Sequence, residues 1–115
     1  KAPLNGTYPI EKVMIPEKAK GNIGLVIKGF INVPKDDIYT FALLSDDGST
    51  LVIDGEQVID NDGPHGPREV IGQKALSKGY HPIEVRYFDQ NGGQLKMTVT
   101  GTEGNEIPTS DLYAN

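Results

Sequence analysis

Two adjacent aspartates are the residues of this 115-residue chain best placed to do chemistry. Asp46 and Asp47 follow a run of apolar, strand-forming residues and precede Gly48, so we expect their carboxylates at the rim of a rigid element. Carboxylate oxygens are the hard donors that calcium prefers. An Asp-Asp-Gly triplet also makes an ordinary turn, and the residues alone leave a turn and a calcium site as equal alternatives.

A second polar segment offers further oxygen ligands. Gln90 and Asn91 carry side-chain amide oxygens, and the glycines at 92 and 93 would leave backbone carbonyls accessible to a metal. If this segment lies beside Asp46 and Asp47, the two together could complete a shell of about six to eight oxygens. We therefore treat 45–49 and 89–93 as a pair of candidate binding loops.

The histidines and the remaining acidic residues form no catalytic pattern. His65 lies in a loop rich in turn formers, and His81 precedes a proline. As a general base either would need a nucleophile and an orienting partner nearby, so we expect a structural role and not a catalytic one for both. The segment that begins at Asp60 is not an EF-hand, because His65 stands where that loop requires glycine. Nucleophile-elbow, P-loop, zinc-protease and dinucleotide-binding motifs are all missing from the sequence. The chain is therefore predicted not to be an enzyme.

Composition excludes several further classes of function. A formal net charge of -5 repels phosphate backbones, so no nucleic-acid partner is expected. The absence of cysteine excludes disulfides, thiolate chemistry and cysteine-ligated zinc. No run approaches the roughly 18 apolar residues that span a bilayer, so no membrane insertion is expected. Because the sequence starts at Lys1 without a methionine, we expect a processed protein or a domain of a longer one.

The order of apolar and turn-forming residues predicts a single all-β domain over 1–115, with an extended arm over 1–21 and a core over 22–115. Strands are predicted at 23–33, 38–44, 51–53, 56–60, 69–71, 83–88 and 95–100. A turn at 34–37 would pair the first two strands as a hairpin, and Asp54-Gly55 favours a type I′ hairpin. Apolar residues never recur at helical spacing over three turns, so little helix is expected. Short strands at regular spacing indicate an antiparallel β-sandwich.

An ordered series of motifs resembles the PA-fourteen, or protective-antigen-type, domain family. The resemblance covers roughly residues 29 to 112. Its motifs are Tyr39-Thr40-Phe41, Ser45-Asp46-Asp47-Gly48-Ser49, Leu51-x-Ile53-Asp54-Gly55, Gly63-x-His65-Gly66 and Leu76-x-x-Gly79-x-His81-x-Ile83-x-Val85-x-Tyr87.

The resemblance implies a jelly-roll-like sandwich and a carbohydrate-binding role. Such domains are accessory modules of bacterial glycoside hydrolases, toxins and fungal adhesins. In the adhesin branch, two consecutive aspartates joined by a cis peptide hold calcium together with an asparagine of a second loop. The resemblance thus implies Asp46, Asp47 and Asn91 as calcium ligands, with His65 and Gln90 joining those three in contacting a glycan.

Two functional hypotheses follow. The first is a non-catalytic carbohydrate-binding module of a secreted glycoside hydrolase, such as a hexosaminidase or glucosidase, expected to be bacterial. It would act in the periplasm, at the cell surface or outside the cell, with calcium as cofactor and with a glycan and the neighbouring domains as partners. The second is a structural or protein-interaction module that packs on a neighbouring catalytic domain without binding sugar. The absence of tryptophan favours the second, because sugar-binding faces commonly stack an aromatic ring on the pyranose.

Overall fold

The computed structural model describes residues 8–10, 23–46, 48–61, 67–89, 95–109 and 112–114. Over these ranges the chain forms strands and no helix, which confirms the all-β prediction. The strands are β1 (Tyr8–Ile10), β2 (Ile23–Val33), β3 (Asp37–Ser45), β4 (Ser49–Ile53), β5 (Glu56–Asn61), β6 (Arg68–Leu76), β7 (Gly79–Asp89), β8 (Leu95–Thr100) and β9 (Leu112–Ala114).

The strands form two antiparallel sheets, as predicted for a sandwich. The larger sheet has the order β1-β9-β2-β7-β4-β5 and the smaller has the order β6-β3-β8. Alternate side chains of each sheet point inwards, and they bury a continuous apolar core between the layers. The largest fully buried members are Tyr39, Phe41, Leu25, Ile27, Ile31, Leu43, Leu51, Ile53, Ile59 and Leu112. Of the arm expected over 1–21, the structure describes β1, which pairs with β9.

The hairpin predicted at Asp54-Gly55 is confirmed. Both turn residues have positive φ, 53° at Asp54 and 77° at Gly55, as a type I′ turn requires. The pairing of β4 with β5 is less regular than the sequence suggests, because Leu51 pairs with Ile59 while Val52 pairs with Gln57. One additional residue, Val58, therefore forms a bulge in β5.

The hairpin predicted through residues 34–37 is wrong. β2 pairs with β7 and β9 in the larger sheet, whereas β3 pairs with β6 and β8 in the smaller one. The bend over residues 34–36 carries the chain from one layer to the other, and the Lys78 amide fixes it by donating to Asp36 Oδ1 at 2.7 Å. The alternation of apolar and polar residues in β3 requires that one face of the strand be buried, and a strand in either sheet has such a face. The alternation therefore does not show which strand pairs with β3.

β6 is also longer than predicted, running over nine residues where the sequence indicated 69–71. Its second half contains Gly72, Gln73 and Lys74, which are weak strand formers. β6 is an edge strand, and residues over its whole length pair with β3. Tertiary pairing thus overrides the local preference.

Candidate functional site

The aspartate loop joins the two sheets. β3 of the smaller sheet ends at Ser45 and β4 of the larger sheet begins at Ser49. The Tyr87 hydroxyl donates to the Asp46 carbonyl oxygen at 3.0 Å, and the Phe88 amide donates to the Gly48 carbonyl oxygen at 2.8 Å. Both described ends of the loop are therefore held on β7.

A polar cluster, buried at Ser45, Ser49 and Asn61, lies directly beneath this loop. Asn61 is completely buried, and its Nδ2 donates to Ser45 Oγ at 3.2 Å and to the Arg68 carbonyl oxygen at 2.8 Å. Arg68 Nε donates in return to Asn61 Oδ1 at 2.9 Å, and the hydroxyls of Ser45 and Ser49 are 2.6 Å apart. We call these four residues the Asn61 network. It ties together the ends of β3, β4, β5 and β6, and so gives the loop a rigid base.

Of the sequence-predicted site residues, the structure describes only Asp46, which is half-buried at the end of β3. Asp47 and its peptide bond with Asp46, His65, Gln90 and Asn91 lie outside the described residues. Within the ranges that are described, no three Asp, Glu or His side chains are close enough together to hold a metal ion. The calcium ligand set therefore stays a prediction.

The strand ends that lead to the predicted residues do converge at one end of the sandwich. Phe88, near the end of β7, bonds Gly48, and Leu95, the first residue of β8, pairs with Ser45. At the end of β5, Asn61 pairs with Ser49. Arg68, the first residue of β6, also pairs with Ser45. β3 and β4 flank the aspartate loop, and β7 and β8 flank the second candidate loop over 89–93. All four strands therefore begin or end beside the aspartate loop.

The outer face of the larger sheet carries an aromatic residue next to this loop. Phe88 is 51% exposed and lines a groove of ≈ 230 Å³ together with Gly48, Ser49, Thr50, Arg86 and Tyr87. Sequence reasoning missed this ring as a site residue. The feature that could have revealed it is the alternation in β7, in which Phe88 is an apolar residue on the polar face, two places after Arg86.

His81 has the structural role expected from the sequence. Its Nδ1 lies 2.9 Å from a carboxylate oxygen of Asp54, its Nε2 lies 2.7 Å from the Ser77 carbonyl oxygen, and its side chain is only 12% exposed. The imidazole thus fastens the β4–β5 turn to the connection between β6 and β7.

Comparison with known proteins settles the family. The family model for the PA14 domain matches residues 1–111. This chain belongs to the PA14 domain family. The PA14 assignment agrees with the resemblance found in the sequence motifs and with the two-sheet architecture. No curated protein sequence matches the chain.

Solved structures share this PA14 fold. The PA14 sugar-binding domain from an RTX adhesin is 24% identical with a TM-score of 0.65, over 75% of this chain and 53% of that chain. The GH31 alpha-xylosidase from Xanthomonas citri is 20% identical with a TM-score of 0.65, over 86% of this chain and 13% of that one. An epithelial adhesin A domain from Candida glabrata, in complex with beta-lactose, is 16% identical with a TM-score of 0.65, over 81% of this chain and 51% of that chain.

The chain spans about half the length of the two adhesin chains. In the described part of the PA14 domain, no helix has the length and apolar character needed to cross a membrane.

Proposed function

We propose that this PA14 domain is a non-catalytic carbohydrate-binding module of a secreted, bacterial glycoside hydrolase, acting outside the cell, in the periplasm or at the cell surface. The observation that carries the proposal is the aspartate loop, held on β7 and backed by the Asn61 network. A recognition site benefits when its polar groups are already held in place before the ligand arrives, because ordering mobile groups on binding costs free energy and lowers affinity.

Calcium fits the donor set that the sequence offers at this loop. Asp46, Asp47 and Asn91 would supply hard oxygen atoms, and the bound ion would offset the charge of the two carboxylates and polarise sugar hydroxyls. The aspartate side chains are the expected ligands, because carboxylate oxygens are the hard, charged donors that calcium prefers. Gln90 and His65 would then contact the glycan.

The similar structures support a glycan and neighbouring domains as partners. One is titled a sugar-binding domain of an adhesin, one is in complex with beta-lactose, and one is an alpha-xylosidase of which the matched region is a small part. A module of this kind would hold its parent protein on a saccharide while another domain acts on it.

A second candidate function is a structural module that packs on a neighbouring domain. Phe30 and Tyr80 are half or more exposed on the outer face of the larger sheet. A groove of ≈ 650 Å³ there is lined in part by Phe30, Val52 and Pro82. Exposed apolar surface of this kind is typical of contacts between domains.

The first prediction tests calcium binding by calorimetry and thermal unfolding. Calcium at about a hundredfold excess over its Kd adds ~2.7 kcal/mol to the free energy of unfolding, and so should raise the Tm on the order of 10 °C. Asp46→Asn and Asp47→Ala should remove this increase without unfolding the domain. Glu103→Gln, at an exposed side chain that pairs with Lys35, is the control and should keep it.

Glycan binding is measured separately with a panel that includes lactose and glucose, each with calcium and with a chelator. Calcium-dependent binding of any member supports the sugar-binding module. A silent panel together with an unchanged Tm would leave the structural module as the function. Binding that persists in chelator would keep the sugar-binding role and exclude the calcium ligands named above.

A further inference from the structure

Phe88 offers an open aromatic face beside the aspartate loop. It lies on the outer side of β7, and its partner across the ladder on β2 is Gly24, which has no side chain. Apart from its two chain neighbours, no described residue has a heavy atom within 4 Å of where a Cβ atom added at Gly24 would lie. The neighbouring strand therefore leaves the ring uncovered on that side, so its face can receive a flat apolar surface.

Polar groups lie next to this ring on the same face of the sheet. Arg86 is two residues before Phe88 and pairs across the ladder with Thr50, whose hydroxyl can donate or accept. Arg86 Nε donates to Glu84, which orients the guanidinium while its side chain stays 66% exposed. The terminal guanidinium nitrogens supply further donors along the groove.

We propose that Phe88, Arg86 and Thr50 form a saccharide subsite for a neutral pyranose, next to the aspartate loop. This inference rests on the proposed carbohydrate-binding function and adds the residues that would contact the sugar. Phe88 stacks on the apolar face of the ring, while Arg86 and Thr50 bond its hydroxyls. The groove of ≈ 230 Å³ has room for a ligand on the scale of one sugar ring.

The charges around the groove favour a neutral sugar over an acidic one. Arg86 and Lys28 share one counter-charge, because Lys28 Nζ lies 3.9 Å from the other oxygen of the Glu84 carboxylate that Arg86 bonds; it is the two aspartates of the neighbouring loop that make carboxylates outnumber cations here. The adjacent loop carries Asp46 and Asp47 in a chain with a net charge of -5, which repels a carboxylate ligand.

The second prediction compares Phe88→Ala with Phe30→Ala, using lactose and a glucuronic acid disaccharide as probes. The two phenylalanines are matched, because both are on the outer face of the same sheet and their exposed fractions are 51% and 50%. We expect Phe88→Ala to weaken lactose binding about tenfold, or ~1.4 kcal/mol, and Phe30→Ala to leave it unchanged. Amide shifts in a nuclear magnetic resonance titration should move at Gly48, Thr50 and Phe88.

A second variant removes binding without removing the ring. Gly24→Leu places a side chain beside Phe88, in a strand where glycine contributes little packing, so the Tm should not fall. Lactose affinity should decrease as in Phe88→Ala. A loss of affinity in both variants, with unchanged melting, supports the subsite.

The outcomes separate this inference from the proposed function. If wild-type protein binds lactose and Phe88→Ala binds it equally well, the subsite is wrong while the sugar-binding module stands. If Phe30→Ala is the damaging variant, the ring that contacts sugar is the other one. Preference for the glucuronic acid disaccharide would overturn the choice of a neutral ligand. If wild-type protein binds neither probe nor any glycan of the panel, the proposed function and the subsite fail together.

Discussion

Asn61 is the central residue of the hydrogen-bonded network beneath the candidate site. Its amide group is completely buried and donates hydrogen bonds to the Ser45 side chain at the end of β3 and to the Arg68 carbonyl oxygen at the start of β6. The amide oxygen accepts a hydrogen bond from the Arg68 side chain. A hydrophobic residue at this position would remove the hydrogen bonds to the Ser45 side chain and to Arg68, and each lost bond costs free energy. Asparagine fits because it presents a donor pair and an acceptor on one flat group.

The third prediction is that Asn61→Ala lowers the free energy of unfolding by about 2–3 kcal/mol, because partners are left unsatisfied and a cavity opens. Asn32→Ala is the matched control, since Asn32 is exposed on β2, and should change stability by less than ~0.5 kcal/mol. Chemical denaturation measures both. Equal effects would show that the Asn61 network does not stabilise the domain.

At the scale of elements, the bulge in β5 explains a glycine in β6. A Cβ atom added at Gly72 would lie 2.7 Å from the Val58 carbonyl oxygen and 2.8 Å from Ile59 Cγ1. Val58 is the additional residue of the bulge, and its backbone approaches β6 where the edges of the two sheets meet. The bulge and the glycine therefore depend on each other.

The fourth prediction follows from that contact. Gly72→Ala should destabilise the domain by about 1–3 kcal/mol, because backbone must move to admit the methyl group. Gly24→Ala, at an open position in β2, should be neutral or slightly stabilising. Thermal unfolding compares the two variants directly, and a Gly72→Ala protein as stable as Gly24→Ala would contradict the role given to the bulge.

How far the sequence predicts this fold depends on the range of the interaction involved. The Asp54-Gly55 hairpin and the strands of β2, β7 and β8 follow from local pattern and turn chemistry, and were predictable. The partner of β3 and the length of β6 depend on contacts between distant segments, which alternation leaves open. Asn61 went unnoticed for the same reason, since only the assembled sheets bring it beside the aspartate loop, whereas the alternation in β7 already marks Phe88 as an apolar residue on the polar face.

For the molecule as a whole, Asp37 makes stability depend on acidity. The backbone amide of Thr102 donates to Asp37 Oδ2 at 3.0 Å, and this bond is the main cause that lowers the carboxyl pKa below its ordinary 3.8. Desolvation is the second-largest effect and opposes the shift, while the amide of Ile38, the hydroxyl of Thr102 and the charge of Lys35 each lower the pKa further. The ionised carboxylate fastens the turn after β8 to the start of β3.

The fifth prediction takes its sign from that lowered pKa. The stabilisation by ionised Asp37 is fully present above the unfolded pKa and is lost as pH falls through the folded one. Asp37→Asn should therefore be less stable than wild type at neutral pH, with a difference that shrinks below about pH 3.8. Glu69→Gln, at an exposed position of β6, is the control and should show no such convergence. Denaturation curves between pH 2 and 7 measure the difference, and a constant gap would argue against the assignment.

The position of β9 has a consequence for the order of events during folding. β9 lies between β1 and β2, so in the described sheet β1 reaches its neighbours only through residues 112–114. Apart from the β4–β5 hairpin, the pairings of the larger sheet close long loops, which makes them slow to form. During synthesis, the edge of β2 that pairs with β9 must wait until β3 to β8 have emerged, and over that interval it is open to pairing with other chains.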